Sequence, residues 1–248
     1  MVHFRRDGQH PGWIGRGKHQ ADSRRVTSKR PVGKGIYQVE VIFHINRVYC
    51  NYMANLRIPL TTPLWIGCLP VSPLGPISAA VTSQGLARVE FCAQAELENE
   101  LAAFARPDPP VPNFLAKALA QIDEYLNGRR RQFDLPIDWR VMPDFHARSL
   151  RLVQAIPYGE VRTYGEVARA LGQPRAAIAV GSANAANPIP LVLPCHRLIG
   201  SDRRLHGYGG PGGLATKAWL LRLEGCKEFF GERRKPCKTL IKPAMPLS

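Results

Sequence analysis

Three prolines, Pro188, Pro190 and Pro194, bracket the short apolar run Leu191-Val192-Leu193 and lead directly into Cys195-His196-Arg197-Leu198. Proline fixes its own φ, lacks an N–H donor and pushes the residue before it out of the helical region. Neither a regular helix nor a central strand passes through such a stretch, so the chain reaches Cys195 along a stiff, irregular path. The run is also far shorter than the ~20 residues needed to span a bilayer. A cysteine here has three ordinary uses: packing, metal ligation or nucleophilic attack. The neighbouring base, His196, keeps the third open.

Composition narrows the choice. An apolar fraction of 45% over 248 residues supports a packed core. The net charge of +15 points to an acidic partner, nucleic acid before a membrane surface. The excess is uneven. Residues 1–52 hold ten Lys/Arg against three Asp/Glu, 227–248 hold six against two, and 53–226 hold eighteen against fourteen. The six cysteines (Cys50, Cys68, Cys92, Cys195, Cys226 and Cys237) are scattered with no CxxC pair, so neither a local zinc motif nor a dense disulfide framework is expected. No signal peptide is read at the start. A reducing compartment is the expectation: cytoplasmic, nucleoid-associated in a bacterium or nuclear in a eukaryote, with no membrane association.

Residues 1–36 read as disordered, with 37–49 an unpartnered strand candidate, so that 1–52 form a basic extension not needed for function. Residues 62–92 read as β, with Pro76–Val81 and Leu86–Phe91 flanking a Thr82–Gly85 turn. Helices are predicted over 94–105, ending before Pro107, and over 113–127, capped by Asn113 and closed by Gly128. Arg129-Arg130-Arg131 is expected to be a solvated helix exit, with a phosphate patch as the alternative. These elements form an α+β N-terminal domain over 62–140.

A mostly helical C-terminal domain is predicted over 143–225, followed by a basic tail, 227–248. Residues 143–156 carry an amphipathic pattern, and Thr163-x-x-Glu166 is a capping box opening a short helix that Gly172 ends. A second helix over 175–186 consists largely of Ala, Gly and Ser. Two short helices joined by a Gly-containing turn make a helix-turn-helix pattern. The small residues suit either close approach to a groove or tight helix packing. Leu214–Glu224 forms the last helix. The preceding loop, 200–213, is Gly-rich but lacks the Gly-Lys-Ser/Thr of a phosphate loop.

At neutral pH a thiol needs a base or a depressed pKa to attack. His196 supplies the base type. Neighbours on a strand face opposite ways, so contact would require a turn or a bridging water. Glu224 is a candidate to orient the histidine.

Taken together, Ile156-Pro-Tyr-Gly159, Thr163-Tyr164-Gly165, Ala179-Val180-Gly181, Asn187-Pro188-Ile189-Pro190, Pro194-Cys195-His196-Arg197 and Trp219-Leu220-Leu221 resemble the C-terminal domain of the methylated-DNA–protein-cysteine methyltransferases, or O6-alkylguanine-DNA alkyltransferases. The stretch from Tyr125 to Pro136 resembles the end of that family's N-terminal domain, and the resemblance covers about 75–225. It implies that Cys195 accepts the alkyl group, His196 acts through a water, and Glu224 polarises His196. Asn187 would hold the turn into the active-site stretch. Tyr164 would help rotate the nucleotide and interact with the departing guanine. Pro190 and Tyr208 would line the pocket, and carbonyls near Cys195 and Leu198 would read the guanine amine. The second helix of the pair would enter the minor groove of double-stranded DNA carrying O6-alkylguanine (O4-alkylthymine being a further substrate), contacting it through Arg175, Ile178, Ala179, Gly181 and Ser182. The reaction would use each molecule once, as a monomer, with no metal or organic cofactor.

Two departures stand out. Ile178 occupies a position where the family usually carries an arginine that fills the space left by the flipped base. The loop between Tyr208 and Leu214 is two residues longer than the family leads one to expect, with Gly209 where a hydroxyl is common. A binding-only damage sensor, a Cys–His hydrolase and a plain helix-turn-helix regulator remain as alternatives; the sensors lack the acceptor cysteine. An isoleucine can wedge between base steps but cannot hydrogen-bond the orphaned cytosine. Ile178→Arg is therefore expected to raise the transfer rate on duplex DNA; an unchanged single-turnover rate would contradict this.

Overall fold

The computed structural model describes residues 56–105 and 110–226. The extension 1–52, its strand candidate at 37–49 and the tail 227–248 lie outside the described residues.

The N-terminal region is built on a three-stranded antiparallel sheet, β1 (Trp65–Leu69), β2 (Ile77–Thr82) and β3 (Gly85–Glu90), in that order. The hairpin predicted from the sequence is present, with Thr82 paired to Gly85 across a two-residue turn. Gly85 has φ 146°, and a Cβ there would lie 2.6 Å from the Pro136 carbonyl oxygen, so only glycine permits this crossing. Helices α1 (Gln94–Glu100) and α2 (Asn113–Leu126) pack on the sheet.

Two helix ends differ from expectation, each for a physical reason. Helix α1 stops at Glu100 rather than at 105. The Ala105 N–H donates to the Leu60 carbonyl and the Leu64 N–H to the Ala105 carbonyl, which draws the chain out of the helix. The acidic end of α1, disfavoured at a helix C-terminus, finds compensation in the Glu100 ion pair with buried Arg88. Asn113 is not the cap of α2: Pro112 occupies that position, Asn113 is already helical, and no side chain caps the end. Past Gly128, Arg129 pairs with Asp123 and Arg130 with Glu124, so two of the three arginines are neutralised by the helix they leave.

The second region is mostly helical: α3 (Asp144–Gln154), α4 (Tyr164–Ala170), α5 (Ala177–Ala185) and α6 (Leu214–Leu223), with a two-stranded parallel pairing of β4 (Arg162–Thr163) and β5 (Leu198–Ile199). Helices α4 and α5 form the helix-turn-helix. The Thr163 hydroxyl accepts from the Glu166 N–H at 3.1 Å, and the Glu166 carboxylate accepts from the Thr163 N–H at 2.6 Å, closing the capping box. Helix α5 begins at Ala177, two residues later than expected, because Pro174 and Arg175 are consumed in a turn closed by the Ala176 N–H on the Gln173 carbonyl.

The two regions share one apolar core. Leu191, Val192, Leu193 and Leu220 pack with Ile77, Leu86, Ile122 and Tyr125, and the Val89 N–H donates to the Pro188 carbonyl. The proline-rich approach to Cys195 is thus buried against the N-terminal sheet, and Leu191, a non-glycine residue, is held at φ 71° within it. A smaller core of Leu152, Val153, Ile156, Val167, Val180 and Leu198 holds the helix pair on α3.

The capping box is the local device that starts α4 and so aims Tyr164. Thr163→Ala removes the hydroxyl that accepts from the Glu166 N–H and donates to the Glu166 carboxylate, and is expected to lower unfolding stability by about 1 kcal/mol; a urea midpoint equal to that of the wild type would show that the cap contributes nothing.

Candidate active site

Cys195 opens a single 3-10 turn, Cys195–Arg197, at the point where the stiff approach ends. It is 7% exposed and lines a pocket together with Tyr164, Gly181, Asn184, Ala185, Gly207, Tyr208 and Gly209. Asn187 fixes the approach: its side chain donates to the Leu193 carbonyl at 2.8 Å and accepts from the Ile189 N–H at 3.0 Å. Burial pushes the Cys195 thiol up. A hydrogen bond from Asn187, the charge of Lys217 and the N–H groups of Cys195 and His196 oppose this without overcoming it. The resting sulfur is therefore protonated at neutral pH and needs a base.

His196 is wholly buried, and its Nε2 lies 2.9 Å from Glu224 Oε1 and 3.2 Å from the Tyr125 hydroxyl. An ionised carboxylate only accepts, so Nε2 carries the ring hydrogen and Nδ1 presents its lone pair. Nδ1 is buried with no partner among the described residues. Burial also holds the imidazole below its ordinary value, against the favourable pull of Glu224, so the ring is uncharged and able to take a proton.

Glu224 is the hub of this arrangement. It caps α6 and accepts from Tyr125 (2.7 Å), from His196, from the Gly159 N–H (3.1 Å) and from Arg197 through Nε (2.9 Å) and Nη2 (2.8 Å). Burial alone would raise its pKa, but the hydrogen bonds and charges of His196 and Arg197 outweigh it and the carboxyl is held far below the usual range. Since His196 is neutral, the lasting opposing charge is Arg197, which also donates to the Ile156 carbonyl at 2.6 Å. Gly159, at φ 78°, admits the close approach: a Cβ there would meet the Glu224 carbonyl oxygen at 2.8 Å.

The sequence-predicted residues divide into groups. Cys195, Tyr164, Gly181 and Tyr208 meet at the pocket, and His196, Glu224 and Asn187 stand behind it. Burial raises the phenols of Tyr164 and Tyr208, so both stay protonated. Pro190 does not line the pocket; it is buried in the approach. Leu198, expected to contribute its backbone carbonyl rather than its side chain, lies in β5 opposite Arg162 with its side chain in the smaller core. Ile178, Ala179, Ser182 and Ala185 form the exposed face of α5, with Ile178 87% exposed, while Val180, Ala183 and Asn184 face inward. Tight packing explains the inner small residues and leaves the outer ones without a packing role. Arg175 is exposed in the turn before α5.

Sequence reasoning missed four residues: Tyr125, Arg197, Asn184 and Lys217. Arg197 was visible only as part of a motif, and Tyr125 only as a core position of α2. Lys217 is fully buried, donates to the His206 carbonyl at 2.7 Å and the Gly207 carbonyl at 3.4 Å, and so ties the Gly-rich loop over the pocket. Burial brings its pKa down to about 8, against the attraction of Cys195. A lysine on the apolar stripe of α6 was the available signal. Among the described residues no cluster of His, Cys, Asp and Glu could hold a metal, and no helix is long and apolar enough to cross a membrane.

In the unfolded chain Glu224 titrates in the ordinary carboxylate range, and in the folded protein His196 and Arg197 hold it lower. Its contribution is complete above that range and is lost as pH falls through the folded pKa. Glu224→Gln is expected to cost roughly 3–5 kcal/mol at pH 7 by leaving Arg197 unpaired, and to flatten the acid limb of stability against pH. Urea unfolding from pH 7 to pH 3 checks both, and a wild-type-like profile would contradict them.

Residues 69–139 match the family model for the 6-O-methylguanine DNA methyltransferase ribonuclease-like domain, and residues 144–226 match its DNA binding domain. The methylated-DNA–protein-cysteine methyltransferase of Methanosarcina acetivorans is 40% identical over 159 residues, 62% of this chain and 94% of that one. The protein of that name from Mycolicibacterium paratuberculosis is 49% identical over 113 residues, 46% of this chain and 67% of that one. The crystal structure of Mycobacterium tuberculosis OGT in complex with DNA is similar with a TM-score of 0.54 and 36% identity, covering 66% of this chain and 93% of that one. The chain belongs to the 6-O-methylguanine DNA methyltransferase family.

Proposed function

We propose that the protein repairs DNA directly, moving an alkyl group from O6 of guanine, and in a secondary reaction from O4 of thymine, onto the sulfur of Cys195. The observation that carries this reading is the pairing of a buried, pocket-lining thiol with a neutral histidine whose Nδ1 has no partner among the described residues and whose Nε2 is fixed by Glu224. O6 lies on the pairing edge, so the base must leave the stack, at a cost of a few kcal/mol. The small exposed face of α5 suits close approach to the minor groove, with Ile178 as the wedge and Arg175 near the phosphates. A water between Sγ and Nδ1 relays the thiol proton to His196, and Glu224 stabilises the imidazolium. The thiolate then attacks the alkyl carbon in line. The S–C bond forms, the C–O6 bond breaks, and the electron pair passes to guanine, which takes a proton through the Tyr164 hydroxyl; the proton held by the His196 imidazolium returns through water to restore the phenol, so that His196 and Tyr164 both end neutral. The thioether has no easy return, so each molecule acts once. We further propose that it acts as a monomer, in the cytoplasm or nucleus.

Incubation with a duplex oligonucleotide containing O6-methylguanine is expected to add the mass of one methyl group to the tryptic peptide carrying Cys195. Cys195→Ala should abolish transfer while still binding DNA. Tight binding by the wild type with no mass added would favour a damage sensor instead.

A further inference from the structure

The loop between Tyr208 and Leu214, two residues longer than the family leads one to expect, is folded rather than slack. Gly210-Pro211-Gly212-Gly213 makes one tight turn, in which the Gly213 N–H donates to the Gly210 carbonyl at 3.0 Å and Gly212 has φ 75°. Proline second and a left-handed glycine third are what a type II turn requires. The turn runs straight into α6: the Ala215 N–H donates to the Gly212 carbonyl and the Lys217 N–H to the Gly213 carbonyl, each at 3.2 Å. The hydroxyl of Thr216, a buried residue, donates to the Pro211 carbonyl.

This turn lies against an aromatic ring of the pocket. A Cβ on Gly210 would sit 3.1 Å from Tyr208 Cζ and nearer still to Cε1, so the backbone of Gly210 fills a space at the ring edge that no side chain could share. The ring has need of such a support. Its hydroxyl is buried with no hydrogen-bond partner among the described residues, which leaves packing to set its angle. The other limb of the loop is held from the same helix, since Lys217 donates to the His206 and Gly207 carbonyls. Two adjacent side chains of α6 thus grip the loop on either side of Tyr208. We propose that Thr216 and the Gly210–Gly213 turn form a brace that sets the Tyr208 ring as a fixed pocket wall before DNA arrives, making Thr216 and Gly210 positioning residues for transfer to Cys195. This rests on the transfer reading above. Neither residue lines the pocket, and both act through Tyr208. On that reading DNA docks on α5, so a loosened brace leaves DNA affinity intact. A displaced wall lets the flipped base settle out of line with the sulfur, where a misplacement of about 1 Å can cost up to ~100-fold in rate.

The test follows single-turnover methyl transfer by the full chain from a duplex containing O6-methylguanine, over a range of protein concentrations. Thr216→Val keeps the side-chain shape and removes the donor. It is expected to lower the maximal rate roughly ten-fold, the scale of one lost hydrogen bond, with the half-saturating concentration unchanged. Thr216→Ser, which restores the hydroxyl, should return the rate close to that of the wild type. Gly210→Ala sets a methyl group against the ring and should lower the maximal rate further. In a Tyr208→Leu background, slower from the outset, Gly210→Ala should lower it no more, because the ring through which it acts is gone. General loss of fold would instead reduce the fraction of molecules that react, at an unchanged rate. Thr216→Val transferring at the wild-type rate, or Gly210→Ala slowing the Tyr208→Leu protein as much as the wild type, would overturn the brace. A wild type that transfers nothing would overturn the transfer reading, and this inference with it.

Discussion

The site depends on one buried charge. The Glu224 carboxylate is removed from water at the end of the last described helix, and its retention there is stabilised by a guanidinium, a phenol, an imidazole and a backbone N–H from three other parts of the chain. Removing any one donor weakens an ionic centre that burial would otherwise neutralise. The arrangement has chemical content as well. By taking the hydrogen of Nε2, the carboxylate fixes the histidine tautomer and leaves Nδ1 basic. Arg197 balances the charge, so Glu224 stays ionised without requiring a charged histidine.

A second constraint is the backbone before Cys195. The prolines, the positive φ of Leu191 and the two hydrogen bonds of Asn187 hold the segment in one shape, packed against the N-terminal sheet. That sheet therefore acts on the chemistry at a distance: it is the surface against which the reactive turn is pressed. The helix-turn-helix is anchored on a different core, around Val153 and Val180. The pocket lies between a rigid floor and a helix that presents small side chains outward.

Much of this was legible in the sequence. The hairpin, the capping box and the glycine stops are local, each governed by a few adjacent residues, and Cys195 with His196 announced a nucleophile and a base. What was not legible depends on partners far apart in the chain. Tyr125 and Glu224 are 99 residues apart, and nothing in α2 marked its tyrosine as more than a core residue. Arg197 was visible only as a motif letter, because its carboxylate partner lies 27 residues on. The contact problem posed by adjacent Cys195 and His196 assumed strand geometry, whereas the 3-10 turn sends the imidazole toward Glu224 and leaves Nδ1 as the free atom. Asn113 misled for a simpler reason: a good capping residue next to a proline was displaced by one position.

The placement of Glu224 also bears on how the molecule comes into being. Cys195 emerges from the ribosome before the helix that ends in Glu224, and domains fold broadly in the order in which they are made. Until that helix docks, His196 lacks the acceptor that fixes its tautomer, Lys217 has not tied down the loop over the pocket, and Arg197 is without its counter-charge. A nascent or truncated chain would thus carry its cysteine as an ordinary thiol. The base that activates Cys195 and the loop over its pocket are therefore both set only once α6 has docked.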